Sequence, residues 1–360
     1  MLTMLDELVA PLRVDDRYRA AELRHLRDAL PRAPGLVAVL ADAAGRFLLT
    51  GSANILTLPQ IADALPGRVD YVSLWPFTQG ELGGKRETFL ETAFAGRAPQ
   101  LSGAPVGRAV YAERIASGGF PEVAEAGSAR RLRFFTGYVD SILGRDVSDL
   151  TSVRDTEMVG RVLRLTAARS AALANFSAIG RDLGIDHKTV ASHLRVLEQL
   201  FLIVRLPAWH MNLGHRIIRT PKLHVADTGM LCSLIGADAR RLEQDGPLAG
   251  SVFETFAVTE VVRQASYSPL GPLLNFHHYR DQRGNEVDLV IEHTGGDVVC
   301  VEVKASATPR ARDARGLALM RDRLGERFRC GILLHAGSET LPIGDRIWAV
   351  PLAGLWREID

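Results

Sequence analysis

The stretch GNEVDLVIEHTGGDVVCVEVKAS, residues 284–306, decides how the second half of this chain is read. Successive side chains of a strand point to opposite faces, so Glu286, Asp288 and Val290 fall on one side and Val287, Leu289 and Ile291 on the other. In the second run Val299, Val301 and Val303 share a face, and Cys300, Glu302 and Lys304 share the opposite one. Gly295-Gly296 between them marks a hairpin turn. Pairing across that turn brings Asp288, Glu302 and Lys304 to one side. Such charges are costly on a Val- and Ile-rich strand pair unless they face water or a ligand. Two carboxylates in mutual reach make a hard-cation site, which makes Asp288 and Glu302 candidate ligands for Mg²⁺ or Mn²⁺. A neighbouring lysine stabilises developing negative charge or orients an attacking water. A salt-bridged, solvent-facing hairpin without chemistry is the alternative.

The helix that precedes this hairpin, GSVFETFAVTEVVRQAS (250–266), carries Glu254, with Glu260 six residues on and pointing elsewhere. Acid on a helix, then Asp, then Glu-x-Lys on a hairpin resembles the PD-(D/E)xK nuclease superfamily. That resemblance implies a catalytic set of Glu254, Asp288, Glu302 and Lys304, with Mg²⁺ or Mn²⁺ where cleavage occurs. Lysine is scarce here: Lys85, Lys188, Lys222 and Lys304 are the only four among 43 basic residues. In a chain that defaults to arginine, a retained lysine hints that arginine does not serve there.

Upstream, SAIGRDLGIDHKTVASHLRVLEQL (177–200) has the build of a winged helix. Ile179, Leu183 and Ile185 face inward, and Asp186 is placed to cap the second helix. Val190, Leu194, Leu197 and Phe201 recur at helical spacing as one apolar stripe. This leaves His187, Lys188, Ser192, His193 and Arg195 outside, and Lys188, His193 and Arg195 are the candidate DNA contacts. The runs FLIVRLPAW and IIRTPKLHVAD read as wing strands. Packing between domains is the first role read for this unit, and DNA contact the alternative.

Toward the N-terminus, PGLVAVLADA (34–43) reads as a short helix, RFLLTGSAN (46–54) as a strand entering a polar loop, and VDYVSLWPF (69–77) as a second strand. These segments, with LPGRV, SLWPFTQGE, SGGFPEV, GRDVSDL, the winged helix, PKLHVADTGML and the two nuclease-like motifs, resemble a family of bacterial and archaeal AAA-like ATPases. In that family a short P-loop domain precedes a domain of unknown function. The resemblance covers about residues 28–310. It implies that Ser52 and Asn54 stand near a γ-phosphate, Arg68 where an arginine finger is expected, and Asp28 as the magnesium-linked acid. Phosphate binding needs a GxxxxGK[ST] loop before these elements. The only Gly-Lys pair, Gly84-Lys85, follows them, lacks the first glycine and has Arg86 in the Ser/Thr position. Ala29 replaces the catalytic glutamate. The resemblance therefore implies an N-terminally truncated member that does not hydrolyse ATP, with the four nucleotide-site residues as relics.

Composition bounds the rest. In 360 residues, 43 Lys+Arg against 42 Asp+Glu leave a net charge of +1, so nothing pulls the whole chain toward nucleic acid or membrane. With 47% apolar and 24% charged residues the chain is globular, which excludes disorder and fibrous repeats. No apolar run reaches the ~20 residues of a membrane span, and the N-terminus lacks the pattern of a signal peptide. Cys232, Cys300 and Cys330 make no metal or disulfide spacing, which fits a reducing cytoplasm. His277-His278 reads as a surface pair, and Phe134, Phe135 and Tyr138 as core. The expected architecture is α+β and multi-domain. It comprises an AAA-like remnant (1–105), a helical connector (106–170), a winged helix (171–226) and a restriction-endonuclease-like α/β domain (227–360). Expected partners are DNA, and a second copy or another protein at the truncated N-terminal sheet, with no membrane.

Overall fold

The computed structural model describes residues 36–40, 47–51, 73–101, 104–150, 155–211 and 220–356. Strands β1 (Leu36–Leu40) and β2 (Phe47–Gly51) pair antiparallel, Leu36 opposite Gly51 and Leu40 opposite Phe47. The helix expected over 34–43 is thus a strand across 36–40. A five-residue apolar run carries no decisive period, and the next run supplies its ladder partner. The strand expected over 69–77 is irregular in its described part, 73–77, where Pro76 cannot donate to a ladder. Asp28, Ser52, Asn54 and Arg68 all lie outside the described residues.

Helices α1 (Gln79–Leu82), α2 (Phe89–Phe94), α3 (Arg108–Ser117) and α4 (Ser128–Leu150) come next along the chain. Phe120 meets Phe134, Phe135 and Tyr138 of α4 edge-on, with ring centroids 5.7, 5.4 and 4.9 Å away. Phe135 is buried and Phe134 and Tyr138 pack against the same core. Beyond them lie α5 (Thr156–Ala168), α6 (Phe176–Leu183) and α7 (His187–Gln199). The α6–α7 turn is specified locally. Asn175 accepts the Ala178 amide, Gly184 leaves α6 at a left-handed φ of 70°, and Asp186 accepts the Lys188 and Thr189 amides. Strands β3 (Ile203–Leu206) and β4 (Lys222–Val225) then pair antiparallel, and α8 (Thr228–Ile235), α9 (Ala239–Gln244) and the long α10 (Gly246–Ala265) lead to the sheet.

That sheet contains β5 (Leu274–Arg280), β6 (Glu286–His293), β7 (Val298–Lys304), β8 (Phe328–His335), β9 (Leu341–Gly344) and β10 (Ile347–Pro351), in the order β5-β6-β7-β8-β10-β9. The pairs β5–β6 and β6–β7 are antiparallel, whereas β7–β8 and β8–β10 are parallel. A parallel neighbour needs a crossover, and α11 (Arg315–Leu324) makes it between β7 and β8. On one face Leu289, Ile291, Val299, Val301, Ile332 and Leu334 pack with α10 in a core continuous with the upstream helices. On the other, Val287, Val290, Cys300 and Phe328 pack with Leu317 and Met320 of α11. The chain is therefore an α+β protein: a helical region leading into a mixed six-stranded sheet with helices on both faces.

One break in the pleat sets the position of Asp288. His277 pairs with Val290 and Tyr279 with Val287, so Asp288 and Leu289 together face His278 alone. This is a β-bulge in β6, a feature that re-aims a side chain. It explains why Val287 and Val290 share a core although strict alternation separates them.

Helix α1 is docked on α10 by carboxylates. Gln79 N–H donates to Glu260 Oε1 at 2.5 Å, Gly80 N–H to Glu87 Oε1 at 2.7 Å, and Tyr267 O–H to Glu87 Oε2 at 2.7 Å. Glu260 is fully buried, and burial, with added repulsion from Glu87 and Glu81, pushes its carboxyl up to about 8 against the pull of Arg263 and the Gln79 amide. The folded state thus keeps a proton that the unfolded state releases near 4.5, the ordinary value for glutamate, so stability present below that pH is lost as pH rises toward 8. Glu260→Gln keeps an acceptor for Gln79 and removes the titration. Urea denaturation from pH 5 to 8 is expected to decline less steeply in the variant, by on the order of 2 kcal/mol. Parallel pH profiles would contradict this account.

Candidate functional site

The charged side chains of the hairpin do come together, and the bulge is the reason Asp288 can take part. The β6–β7 ladder ends at Leu289 opposite Val301. Past that point Asp288 Oδ2 accepts the Val303 amide at 2.9 Å, so a side chain takes the place of a ladder carbonyl and the strands part. Into this opening β4 delivers Lys222, only 2% exposed. Its Nζ lies 2.6 Å from Glu254 Oε1 on α10, 2.6 Å from Glu286 Oε1 and 3.1 Å from Asp288 Oδ1. Beside them Lys304 Nζ donates to Glu302 Oε1 at 2.5 Å, while Glu302 Oε2 is buried without a partner. Glu286 also has Arg280 Nη1 at 3.7 Å.

The electrostatics arise from this packing. Burial alone would raise Asp288, but Lys222, then Lys304 and the Val303 amide, outweigh it and hold the carboxyl below its ordinary value. Burial, reinforced by the Asp288 charge, raises Glu254 well above the usual carboxylate range and pushes Glu302 up to about 8. Burial opposes charge on both lysines, yet the surrounding carboxylates raise Lys222 and Lys304 above their ordinary values. His224 and His278 form a neutral wall: burial first, then the Lys222 charge, pulls them down to about 3 and about 4. His224 Nδ1 faces Thr255 Oγ1 at 3.3 Å, and His278 Nε2 faces the Thr220 carbonyl at 3.1 Å. His277 and His278 are both buried, His278 beside Ala208 just past β3 and His277 near Glu292 of β6, and are not the surface pair expected.

Glu254, Asp288, Glu302 and Lys304 therefore meet as the sequence suggests, whereas Lys222 and Glu286 were not among the candidates. A signal for Lys222 existed: two of the four lysines of this arginine-rich chain lie in this cluster. The expected Mg²⁺ or Mn²⁺ fares differently. Ligand oxygens must close to about 2.0–2.1 Å around Mg²⁺. Here Asp288 Oδ1 and Glu254 Oε1 are turned to Lys222, and Glu302 Oε1 to Lys304. Among the described residues no group of three or more His, Cys, Asp or Glu side chains is placed to hold a metal ion. The donor chemistry suits a hard cation, but the residues as arranged do not fit one.

A second surface lies on α7. Lys188 and Arg195 are exposed, two helical turns apart on one face, with His187 beside them. His193, expected outside, is 5% exposed. It lies three residues after Val190 and one before Leu194, on the flank that α5 covers, and burial lowers its pKa against a partial pull from Asp155. It is not available to DNA. Among the described residues no helix is long and apolar enough to cross a membrane.

Known proteins add a frame without assigning an activity. The chain is 24% identical over 306 residues to an uncharacterized protein of Mycobacterium tuberculosis and to one of Mycobacterium bovis, covering 85% of this chain and 62% of each relative. It is 24% identical over 207 residues to an uncharacterized protein of Haemophilus influenzae, covering 55% of this chain and 48% of that one. The chain thus spans less than two thirds of the length of these relatives. No solved structure matches it. Residues 108–241 match the domain of unknown function DUF8612 and residues 249–355 the domain of unknown function DUF4143, so the charge cluster draws Lys222 from the first and its carboxylates from the second.

Proposed function

We propose that this protein binds duplex DNA through the helix pair α6–α7, and that its C-terminal part is a restriction-endonuclease-like domain retained without metal-dependent cleavage. The observation that carries the reading is the exposed pair Lys188 and Arg195 on the face of α7 opposite the buried Val190, Leu194 and Leu197. Basic side chains on the second helix of such a pair reach phosphates and base edges, and β3–β4 sits where a wing belongs. The order α10, three antiparallel strands, α11, parallel strand supports the nuclease lineage. Lys222 among the carboxylates supports the absence of cleavage. ATP has no part in this reading. Gly84-Lys85 lies in the turn that ends α1, where it opens no phosphate-binding helix.

Fluorescence anisotropy of the full chain with labelled duplexes tests it. The expected result is binding that weakens with salt. The double variant Lys188→Ala/Arg195→Ala should bind at least tenfold more weakly at low salt. Its slope of log K against log salt should be smaller by about 0.9 for each phosphate that the variant no longer neutralises. A double variant that binds like wild type would remove α7 from the interface.

The parting of β6 from β7 favours a second reading, divalent-cation-dependent DNA cleavage at Asp288, Glu302 and Lys304 with Glu254 assisting. The same duplexes incubated with Mn²⁺ or Mg²⁺ separate the two. Cleavage that requires metal and disappears in Lys304→Ala would replace the first reading.

A further inference from the structure

We infer that the Lys222 ammonium occupies the seat of a divalent cation, so that Glu254, Glu286, Asp288 and Glu302 form a latent hard-cation site that is self-neutralised by a lysine from the neighbouring unit. This goes beyond the proposed function, since it concerns cation binding and holds whether or not DNA binds at α7.

Valence and geometry carry the inference. An ammonium has three N–H donors, and Lys222 Nζ has three carboxylate oxygens around it at 2.6, 2.6 and 3.1 Å. They come from α10, from the start of β6 and from the bulge in β6. A compact point charge suits this centre, and a planar guanidinium does not, which accounts for lysine where the chain otherwise uses arginine. Lys222, Lys304 and Arg280 face four carboxyl groups in this cluster, and Glu302 Oε2, in a side chain 6% exposed, is left without a partner beside them. A buried carboxyl oxygen with no donor on it is the kind of ligand that Mg²⁺ and Mn²⁺ take. The ammonium arrives on β4, within residues 108–241, whereas every carboxylate lies within residues 249–355. The strand pair β3–β4 is thus the plug, and a displacement of β4 would open the seat.

Mn²⁺ alone is the probe, titrated into the full chain and read by electron paramagnetic resonance of the free ion and by thermal shift. Wild type is expected to bind none at this site below about millimolar Mn²⁺. Lys222→Met is expected to bind one Mn²⁺ at least tenfold more tightly than wild type and to gain melting temperature with it. Adding Asp288→Asn to Lys222→Met should abolish both effects. Should Lys222→Met be unfolded in metal-free buffer, recovery of far-ultraviolet circular dichroism on adding Mn²⁺ supports the inference, and failure to recover counts against it. The pair Lys222→Met/Glu254→Gln removes one positive and one negative charge together. It should fold without metal and bind Mn²⁺ at least tenfold more weakly than Lys222→Met. Wild type binding Mn²⁺ within threefold of Lys222→Met, or a folded Lys222→Met that binds none, would overturn it.

Discussion

Lys222→Ala is expected to lower the stability of the fold by about 3–5 kcal/mol, the range for removing one partner of a buried ionic cluster. The side chain is 2% exposed and lies between Glu254, Glu286 and Asp288. Alanine leaves those carboxylates facing one another with only Arg280 beside Glu286 and Lys304 near Asp288 as counter-charge, and leaves a void where the lysine stem had packed. The deficit depends on pH with a definite sign. Without the ammonium the folded-state carboxyls titrate higher than in the unfolded chain, so the folded variant takes up protons. Its stability is then greatest in acid and is lost as pH rises through those raised values. Urea denaturation at pH 5 and pH 8 should show a larger gap from wild type at pH 8. A gap below about 1 kcal/mol at both, the range of an exposed ion pair, would mean that the cluster is solvated and that Lys222 is an ordinary surface ion.

The second large effect is expected at Asp227, fully buried at the start of α8. Its Oδ2 takes Arg263 Nη2 at 2.9 Å and the Gly119 amide at 2.7 Å, and its Oδ1 caps α8 through the Met230 amide at 3.0 Å. Arg263 in turn donates to the Ala226 and Phe77 carbonyls, so one ion pair ties the 77–119 segment to α10. Asp227→Ala removes the cap, leaves two amides without an acceptor and leaves the Arg263 charge buried. A loss of about 3–5 kcal/mol is expected by chemical denaturation. Asp227→Asn keeps an oxygen for the Met230 amide at the cap but loses the charge and turns an NH2 group toward Arg263 and the Gly119 amide. It should cost less than alanine by about 1 kcal/mol, the worth of the retained cap, and equal losses would show that the cap is irrelevant.

Much of this fold could be read from local chemistry. The α6–α7 turn is declared by Asn175, Gly184 and Asp186, which cap and turn the chain using neighbours within three or four residues. The hairpin at Gly295-Gly296 and the amphipathic helix carrying Glu254 are likewise properties of short segments. Their convergence on Asp288, Glu302 and Lys304 came from period-two alternation together with a resemblance to nucleases. Where the chain lacked a decisive period the reading failed, as at Leu36–Leu40, which became a strand once the Phe47–Gly51 run lay beside it.

What the sequence by itself determined, then, is which segments are helix or strand across most of the described chain, and that Glu302 and Lys304 stand together on one face of the hairpin. Tertiary structure decided the rest. The extra residue in β6 shows only against β5, because a bulge is a mismatch between two strands. His193 is buried only because α5 covers that flank of α7. Lys222 lies 66 residues from Asp288, and its role depends on β4 entering the gap where β6 and β7 part. No spacing in one strand encodes that approach. It arises because a buried excess of carboxylate must be met by positive charge, and the packing of a separate strand pair against the sheet supplies it.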